Sequence, residues 1–309
     1  MIRLLFFGSE EEPTLIFRTL LKSKRIKIIG LVTSFNARQS TNVLDVYNVA
    51  QKEGLQVFTP EDVNNEAQNI LKVTQPDIIL VCNYGQFLNR EILEYPKFKC
   101  LNIHFSLLPE LRGACPVEMA ILNGLDRTGI TIQIMEEKMD TGDILFQKSI
   151  NIEKYETGGS LMVKLQELSA VNIENVLLRY VEGEIKLYRQ KEIKATYCFR
   201  KDISKEKARI NWNNKSEYIE RLIRAFNPKL IAWTYIKVDN KLMRFRIYKA
   251  KTDSNIDDFK EGEMNIIDDK LYIQTKEGSI LPEVVQLEGK NKLTIGEFLR
   301  GYKDKISLR

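Results

Sequence analysis

The stretch Lys99-Cys100-Leu101-Asn102-Ile103-His104-Phe105-Ser106-Leu107-Leu108-Pro109-Glu110-Leu111-Arg112-Gly113-Ala114-Cys115-Pro116 decides how this chain folds. Its first six residues form a short apolar run that ends on polar groups, Asn102 and His104, and a turn-rich segment follows. His104 is the one histidine in 309 residues. A metal site built from several histidines is thereby excluded, as is any mechanism that needs two imidazoles.

Working outward, Ile2–Phe7, Lys27–Thr33 and Asp77–Cys82 are runs of the same kind, rich in Ile, Leu, Val and Phe. They alternate with segments of helical spacing at Thr14–Leu21, Asn42–Lys52, Ala67–Val73 and Pro116–Leu122. Apolar strands separated by amphipathic helices imply crossover connections and a parallel sheet covered on both faces, a doubly wound α/β domain. Ligands of such sheets bind beyond the carboxyl ends of the strands, where Asn102 and His104 fall. The first turn, Gly8-Ser9-Glu10-Glu11-Glu12-Pro13, has one glycine and three acids, which argues against a dinucleotide or ATP site there. Ser9 and Pro13 read as helix-start punctuation, with the acids at the positive end of the dipole.

An alternating strand at Thr128–Met135 leads through Glu136-Glu137-Lys138-Met139-Asp140-Thr141-Gly142-Asp143 into a strand at Ile144–Ile150. Asp140 and Asp143 either supply a carboxylate partner to the imidazole or merely cap a Thr-Gly turn. A helix from Thr157, with Leu161, Leu165, Leu168, Val171, Val176, Leu177 and Tyr180 in its stripe and Gly183 as its stop, closes the first domain.

Length favours two domains, and the composition, 43% hydrophobic and 29% charged, is that of an ordinary globular protein. No apolar run approaches the roughly 20 residues of a membrane span, and the first residues are too short for a signal-peptide core. Cys82, Cys100, Cys115 and Cys198 lack metal-like spacing, so reduced thiols, a cytoplasmic location and no bound metal are expected. Charge is uneven: residues 1–186 carry 20 basic and 24 acidic side chains, residues 187–309 carry 27 and 18, and 187–251 alone holds 18 against 6. Such a concentration suits a polyanion, although a solvated basic surface would look the same. Aromatic residues interleave with it, among them Tyr197, Trp212, Trp233 and Tyr235, either to stack bases or to build a small β-rich core. Beyond a linker near Lys186–Ser204, a helix at Ser216–Phe226 precedes β-like runs at Ala232–Val238, Leu242–Ala250, Lys270–Thr275 and Ser279–Leu287, and Thr294–Tyr302 ends the chain as a helix. A small barrel fits that order. The expected domains are 1–188, a linker at 189–204, and 205–309.

Together, Asn102-Ile103-His104, Ser106-Leu107-Leu108-Pro109, Arg112-Gly113-Ala114-Cys115-Pro116 and Asp140-Thr141-Gly142-Asp143 resemble the signature of enzymes that transfer a formyl group from 10-formyltetrahydrofolate. Within that superfamily, Lys207-Ala208-Arg209-Ile210-Asn211-Trp212, Ile223-Arg224-Ala225-Phe226-Asn227-Pro228 and Gly296-Glu297-Phe298-Leu299-Arg300-Gly301-Tyr302 resemble the methionyl-tRNA formyltransferases. The resemblance covers nearly the whole chain. It implies a Rossmann-like formyltransferase domain followed by an OB-like barrel that contacts initiator methionyl-tRNA in translation initiation; a monomer, with no metal and no membrane, is expected. It also implies a catalytic trio of Asn102, His104 and Asp140.

The chemistry asks for such groups. An α-amine with a pKa of about 7.7–8.0 is partly neutral at cellular pH and needs no strong base. Direct attack through a tetrahedral intermediate puts negative charge on the formyl oxygen, where a single preorganised donor is worth roughly 2.7–4 kcal/mol. Asn102 and His104 are assigned that task, with Asp140 orienting the ring and relaying the proton. Ser106, Leu107, Leu108 and Pro109, with Tyr84, Gly85, Gln86 and Phe87, are expected to line the folate pocket. Ser106 is not needed as a nucleophile, and a Cys115–His104 dyad is the weaker reading of a small buried residue. Arg112 either anchors the folate glutamate or the tRNA end, or pairs with Asp140 or Asp143. Arg38, Lys207, Arg209 and Arg224 complete the expected tRNA contacts. The chain departs from the family in a shortened loop, Ser34–Asn42, whose one basic residue is Arg38. The alternative function is a sugar-nucleotide N-formyltransferase using the same donor, for which the basic segment has no evident use.

Overall fold

The computed structural model describes residues 1–39, 42, 45–254 and 260–306. The chain folds into two compact units, one of Met1–Gly113, Arg127–Asn151 and Met162–Tyr197, the other of Ala114–Asp126, Ile152–Leu161 and Cys198–Arg309. The sequence expectation of one cut with a free linker is simpler than the chain's course. Pro116–Leu122 and the 152–161 segment belong with the second unit, and 189–204 is divided between the units at Tyr197.

In the first unit, strands β1 (Ile2–Gly8), β2 (Ile26–Val32), β3 (Val57–Phe58), β4 (Ile78–Cys82) and β5 (Cys100–His104) alternate with helices α1 (Thr14–Leu21), α2 (Val46–Lys52), α3 (Val63–Thr74) and α4 (Arg90–Glu94). A two-residue strand β6 (Arg112–Gly113) and helix α5 (Pro116–Leu122) precede β7 (Arg127–Ile134), β8 (Ile144–Asn151) and the long α6 (Gly158–Val181). The sheet order is β3-β2-β1-β4-β5-β7-β8. β1 to β5 are parallel, consistent with their largely apolar composition and the helices between them. β7 joins antiparallel to β5, and β8 antiparallel to β7, the latter because β8 follows β7 through a short loop with no helix to carry the chain back across the sheet. Leu4 to Phe7 and Ile78 to Val81 are at most 4% exposed and form the core.

Ser9 is not helix punctuation. It is buried, its amide donates to the Asn83 carbonyl, and its hydroxyl accepts from the Ser34 amide, tying together the loops after β1, β2 and β4. The three glutamates precede α1 and leave its first turn without an acid.

The second unit contains the short β9 (Tyr197–Cys198) from Cys198 onward, α7 (Ser216–Ala225), β10 (Trp233–Val238), β11 (Lys241–Asp253), β12 (Met264–Ile267), β13 (Lys270–Gln274), β14 (Ser279–Leu287), β15 (Lys292–Thr294) and α8 (Ile295–Tyr302). Its antiparallel sheet runs β10-β11-β14-β13-β12, with β15 on β14, the small β-rich module expected of an OB-like domain. Phe245, Ile247, Ile273, Val285 and Phe298 are buried beneath it. Thr294 caps α8, its hydroxyl taking the Glu297 amide while Glu297 reaches back to the Thr294 amide, a capping box. Among the described residues, no helix is long and apolar enough to cross a membrane.

Candidate active site

The pleat of β5 puts Asn102 and His104 on one face, and register with β7 sets Asn102 opposite Gln133 and His104 opposite Thr131. The loop from β7 to β8 returns Asp140 to this face. Its backbone is left-handed there, with φ at 55°. Gly142 permits the turn, since a Cβ at that position would lie 1.8 Å from the Ile134 carbonyl oxygen.

The Asp140 carboxylate is held by donors on both oxygens. Oδ1 accepts from Gln133 Nε2 at 2.8 Å and Asn102 Nδ2 at 3.3 Å, while Oδ2 accepts from the Gly113 amide at 2.9 Å. His104 Nδ1 faces Oδ2 at 3.6 Å, with the ring 6% and the carboxylate 11% exposed. That spacing is an ion-pair approach and too long for a hydrogen bond. On the other side of the ring, Nε2 lies 2.9 Å from the Leu111 carbonyl oxygen. A carbonyl only accepts, so Nε2 carries a proton. Nδ1 is therefore the nitrogen free to exchange a proton beside Asp140. Among the described residues, no group of three or more His, Cys, Asp or Glu side chains could hold a metal.

Arg112 pairs with neither Asp140 nor Asp143. Its side chain is 0% exposed, and it donates to Gln190 Oε1 from Nε at 3.1 Å and Nη2 at 2.8 Å, to both Glu192 oxygens at 3.0 and 2.7 Å, and to the Tyr197 hydroxyl at 3.0 Å. Hydrogen bonding to Glu192 raises the Arg112 pKa above its ordinary value and lowers that of Glu192. Gln190 and Glu192 lie in the segment expected as a linker. Their polar, loop-like setting carried no signal, and Gln133 was one of several polar residues in the alternating strand β7.

The turn after β5 is fixed from β7. The Thr131 hydroxyl donates to the Ser106 carbonyl at 2.7 Å and accepts from the Leu108 amide at 3.1 Å and Gln147 Nε2 at 2.9 Å. The Ser106 hydroxyl is committed to the Glu110 carbonyl at 2.6 Å, and the Leu108–Pro109 bond is cis. Ser106 and Leu108 are buried, Leu107 and Pro109 half-buried. In the other expected wall, Gln86 bridges the Val63 amide to the Glu61 and Pro60 carbonyls, Phe87 is 73% exposed, and the Tyr84 ring packs edge-on against Phe7 at 5.1 Å. The Tyr84 hydroxyl is buried without a partner among the described residues, and burial raises its pKa. Cys115 is buried, its thiol bonded to the Phe199 carbonyl at 3.2 Å and to Cys198, an environment that raises its pKa and keeps it protonated.

The second unit presents a basic and aromatic face. Trp233 and Tyr235 project from the same side of β10, 5.2 Å apart and edge to face. The Arg244 guanidinium lies 4.6 Å over the Trp233 ring, and exposed Arg209 lies 5.8 Å over Trp233 and 5.7 Å over Tyr235. Lys207, two residues before Arg209, is exposed. Arg224 is committed within the unit, to Glu220 at 2.6 Å and the Glu156 carbonyl at 2.9 Å, and is 16% exposed. The Arg38 side chain lies outside the described residues.

A Rossmann-like sheet with an Asn, His and Asp cluster at a strand end, joined to a small β-rich unit, defines a two-domain group transferase. Residues 13–177 match the family model described as Formyl transferase, and residues 202–303 match that described as Formyl transferase, C-terminal domain. The methionyl-tRNA formyltransferase of Clostridium acetobutylicum is 33% identical over 309 residues, covering 97% of each chain, and that of Bacillus cytotoxicus is 32% identical, covering 100% of this chain and 98% of the relative. The chain belongs to the methionyl-tRNA formyltransferase family of formyl transferases. In fold, it also resembles an N-formyltransferase from Helicobacter canadensis in complex with folinic acid and dTDP-3-aminofucose, at a TM-score of 0.69 and 19% identity, over 91% of this chain and 99% of that one.

Proposed function

We propose that the protein transfers the formyl group of 10-formyltetrahydrofolate to the α-amine of initiator methionyl-tRNA. The observation that carries this reading is the cluster at the end of β5, where Asn102 and His104 flank a carboxylate already oriented by three donors. Family membership supports the same acceptor.

The donor supplies an N-formyl carbonyl and, after transfer, a nitrogen that takes up a proton. Asn102 uses one amide hydrogen on Asp140, and its second is available to the developing oxyanion. His104 has Nε2 committed to Leu111, so its part is at Nδ1. There, the ring and Asp140 Oδ2 accept the proton that leaves the attacking amine and return it to the departing nitrogen. The buried, unpartnered Tyr84 hydroxyl and the fixed main chain of 106–109 fit a flat polar heterocycle. We assign Tyr84, Gly85, Gln86, Phe87, Ser106, Leu107, Leu108 and Pro109 to its pocket. Gln86 and Ser106 act there through their main chains, since their side chains are committed elsewhere.

For the acceptor, Lys207 and Arg209 with Trp233, Tyr235 and Arg244 offer charge and π faces together, the pairing that holds nucleic acid. Arg112 and Arg224 support the fold of their own units. On this reading residues 1–188 carry the chemistry and 205–309 bind tRNA, and the protein works as a monomer in the cytoplasm, where its four buried free cysteines stay reduced. The test offers purified protein the formyl donor with charged initiator tRNA, charged elongator tRNA or an amino-sugar nucleotide. Formylation of the initiator species supports the proposal, and formylation of the sugar nucleotide alone overturns it.

A further inference from the structure

We infer that Gln190 is a positioning residue for Asp140, locked in its working orientation by buried Arg112. Gln190 Nε2 donates to the Asp140 carbonyl at 2.8 Å, to the Gly142 carbonyl at 2.9 Å, and to Gln133 Oε1 at 3.2 Å. Gln133 in turn donates to Asp140 Oδ1 at 2.8 Å. One amide thus grips Asp140 twice, at its main chain directly and at its carboxylate through Gln133.

The orientation of that amide is set chemically. Arg112 can only donate, and it meets Gln190 with two N–H groups, so the facing atom must be Oε1 and Nε2 must point at the loop. Glu192 and the Tyr197 hydroxyl hold the remaining guanidinium donors. Asp140 needs this grip because its left-handed φ of 55° is one that a residue with a side chain adopts reluctantly. Without Gln190, nothing else among the described residues bonds the Asp140 and Gly142 carbonyls, and the carboxylate can drift from Nδ1 of His104.

The inference rests on the formyl-transfer reading for its kinetic arm alone. The test pairs Gln190→Glu with Glu192→Gln, which keeps a carboxylate on Arg112 and the local charge constant but removes the donors aimed at Asp140. The expected result is a folded protein with a lowered melting temperature, because a carboxylate oxygen now faces the Asp140 and Gly142 carbonyls, together with unchanged KM values, a kcat lowered by up to about a hundredfold, and faster hydrogen exchange at the Gly113 amide, which Asp140 Oδ2 protects. Gln190→Met, similar in length and without polar atoms, is expected to lower kcat likewise. If Gln190 only stabilises the fold by satisfying Arg112, the paired variant recovers full kcat and the inference is overturned. Unchanged Gly113 exchange in both variants overturns it independently of activity. A wild-type protein that formylates nothing, with Gly113 exchange still accelerated in the variants, counts against the formyl-transfer reading and leaves the anchoring of Asp140 standing.

Discussion

Asp140→Asn is the sharpest perturbation of the site because it changes charge and acceptor count while keeping shape. All three hydrogen bonds at the carboxylate come from donors: Asn102 and Gln133 on one oxygen, the Gly113 amide on the other. An asparagine supplies one oxygen. If it faces Asn102 and Gln133, its NH2 confronts the Gly113 amide, and if it faces Gly113, the NH2 confronts two other NH2 groups. The first arrangement loses one bond and is preferred. Losing a bond from a part-buried amide to an ionised acceptor costs up to about 1.5–3 kcal/mol, so the variant remains folded but less stable. Its NH2 then points at His104 Nδ1, the nitrogen left free by the bond from Nε2 to Leu111, and donates where a proton should be received. Proton transfer at a positioned group contributes about 10²–10⁴ in rate, which at 1.36 kcal/mol per tenfold puts the barrier up by about 2.7–5.4 kcal/mol. Single-turnover formylation under saturating donor and methionyl-tRNA reads this step directly. A folded Asp140→Asn variant that turns over at a rate close to wild type would refute the assignment of proton handling to this carboxylate.

Gly142→Ala places a methyl group 1.8 Å from the Ile134 carbonyl oxygen and should destabilise the first unit by about 1–3 kcal/mol in urea unfolding, with activity falling as the Asp140 loop shifts. The ion pair of Glu192 with Arg112 predicts a pH signature. The carboxyl pKa is lowered in the folded state, so its stabilisation is fully present above the ordinary value of about 4.3 and disappears as pH falls through the depressed folded value. The stability difference between wild type and Glu192→Gln should therefore be level near neutrality and shrink in acid; a difference that grows in acid contradicts the sign. Arg209→Ala should weaken methionyl-tRNA binding and reduce the slope of log K against log salt by up to about one. A variant with the wild-type slope would remove Arg209 from the phosphate contacts.

The longer strands of the parallel sheet were legible because most of their residues are buried and apolar, as in Leu4-Leu5-Phe6-Phe7. Asn102 and His104 were legible because polar groups at the end of such a run stand out. The antiparallel turn of β7 and β8 was visible only as a loop too short for a crossover. Val57–Phe58 and Met264–Ile267 left no clear pattern, being short strands whose side chains are mostly half-buried. The partners of Arg112 were not legible at all. Gln190 and Glu192 lie 78 and 80 residues away in a polar segment with no periodicity, and only the folded chain shows that a buried guanidinium draws its acceptors from there.

The two demands of the site, a shaped turn after β5 and an oriented carboxylate, converge on a single strand. Thr131 and Gln133 are two apart on β7 and so share a face, and they are 0% and 1% exposed. Thr131 fixes the 106–108 turn through two hydrogen bonds and is itself held by Gln147, and Gln133 fixes Asp140. Strand geometry separates their backbones by roughly 6.6 Å, a spacing that a covalent chain holds far more firmly than two independent loops could. The turn and the carboxylate are thus referenced to one rigid element. Thr131 and Gln133 are buried polar groups whose burial is offset by their hydrogen bonds. What the pair provides is a fixed distance between the turn that we assign to the donor and the carboxylate that we assign to the proton.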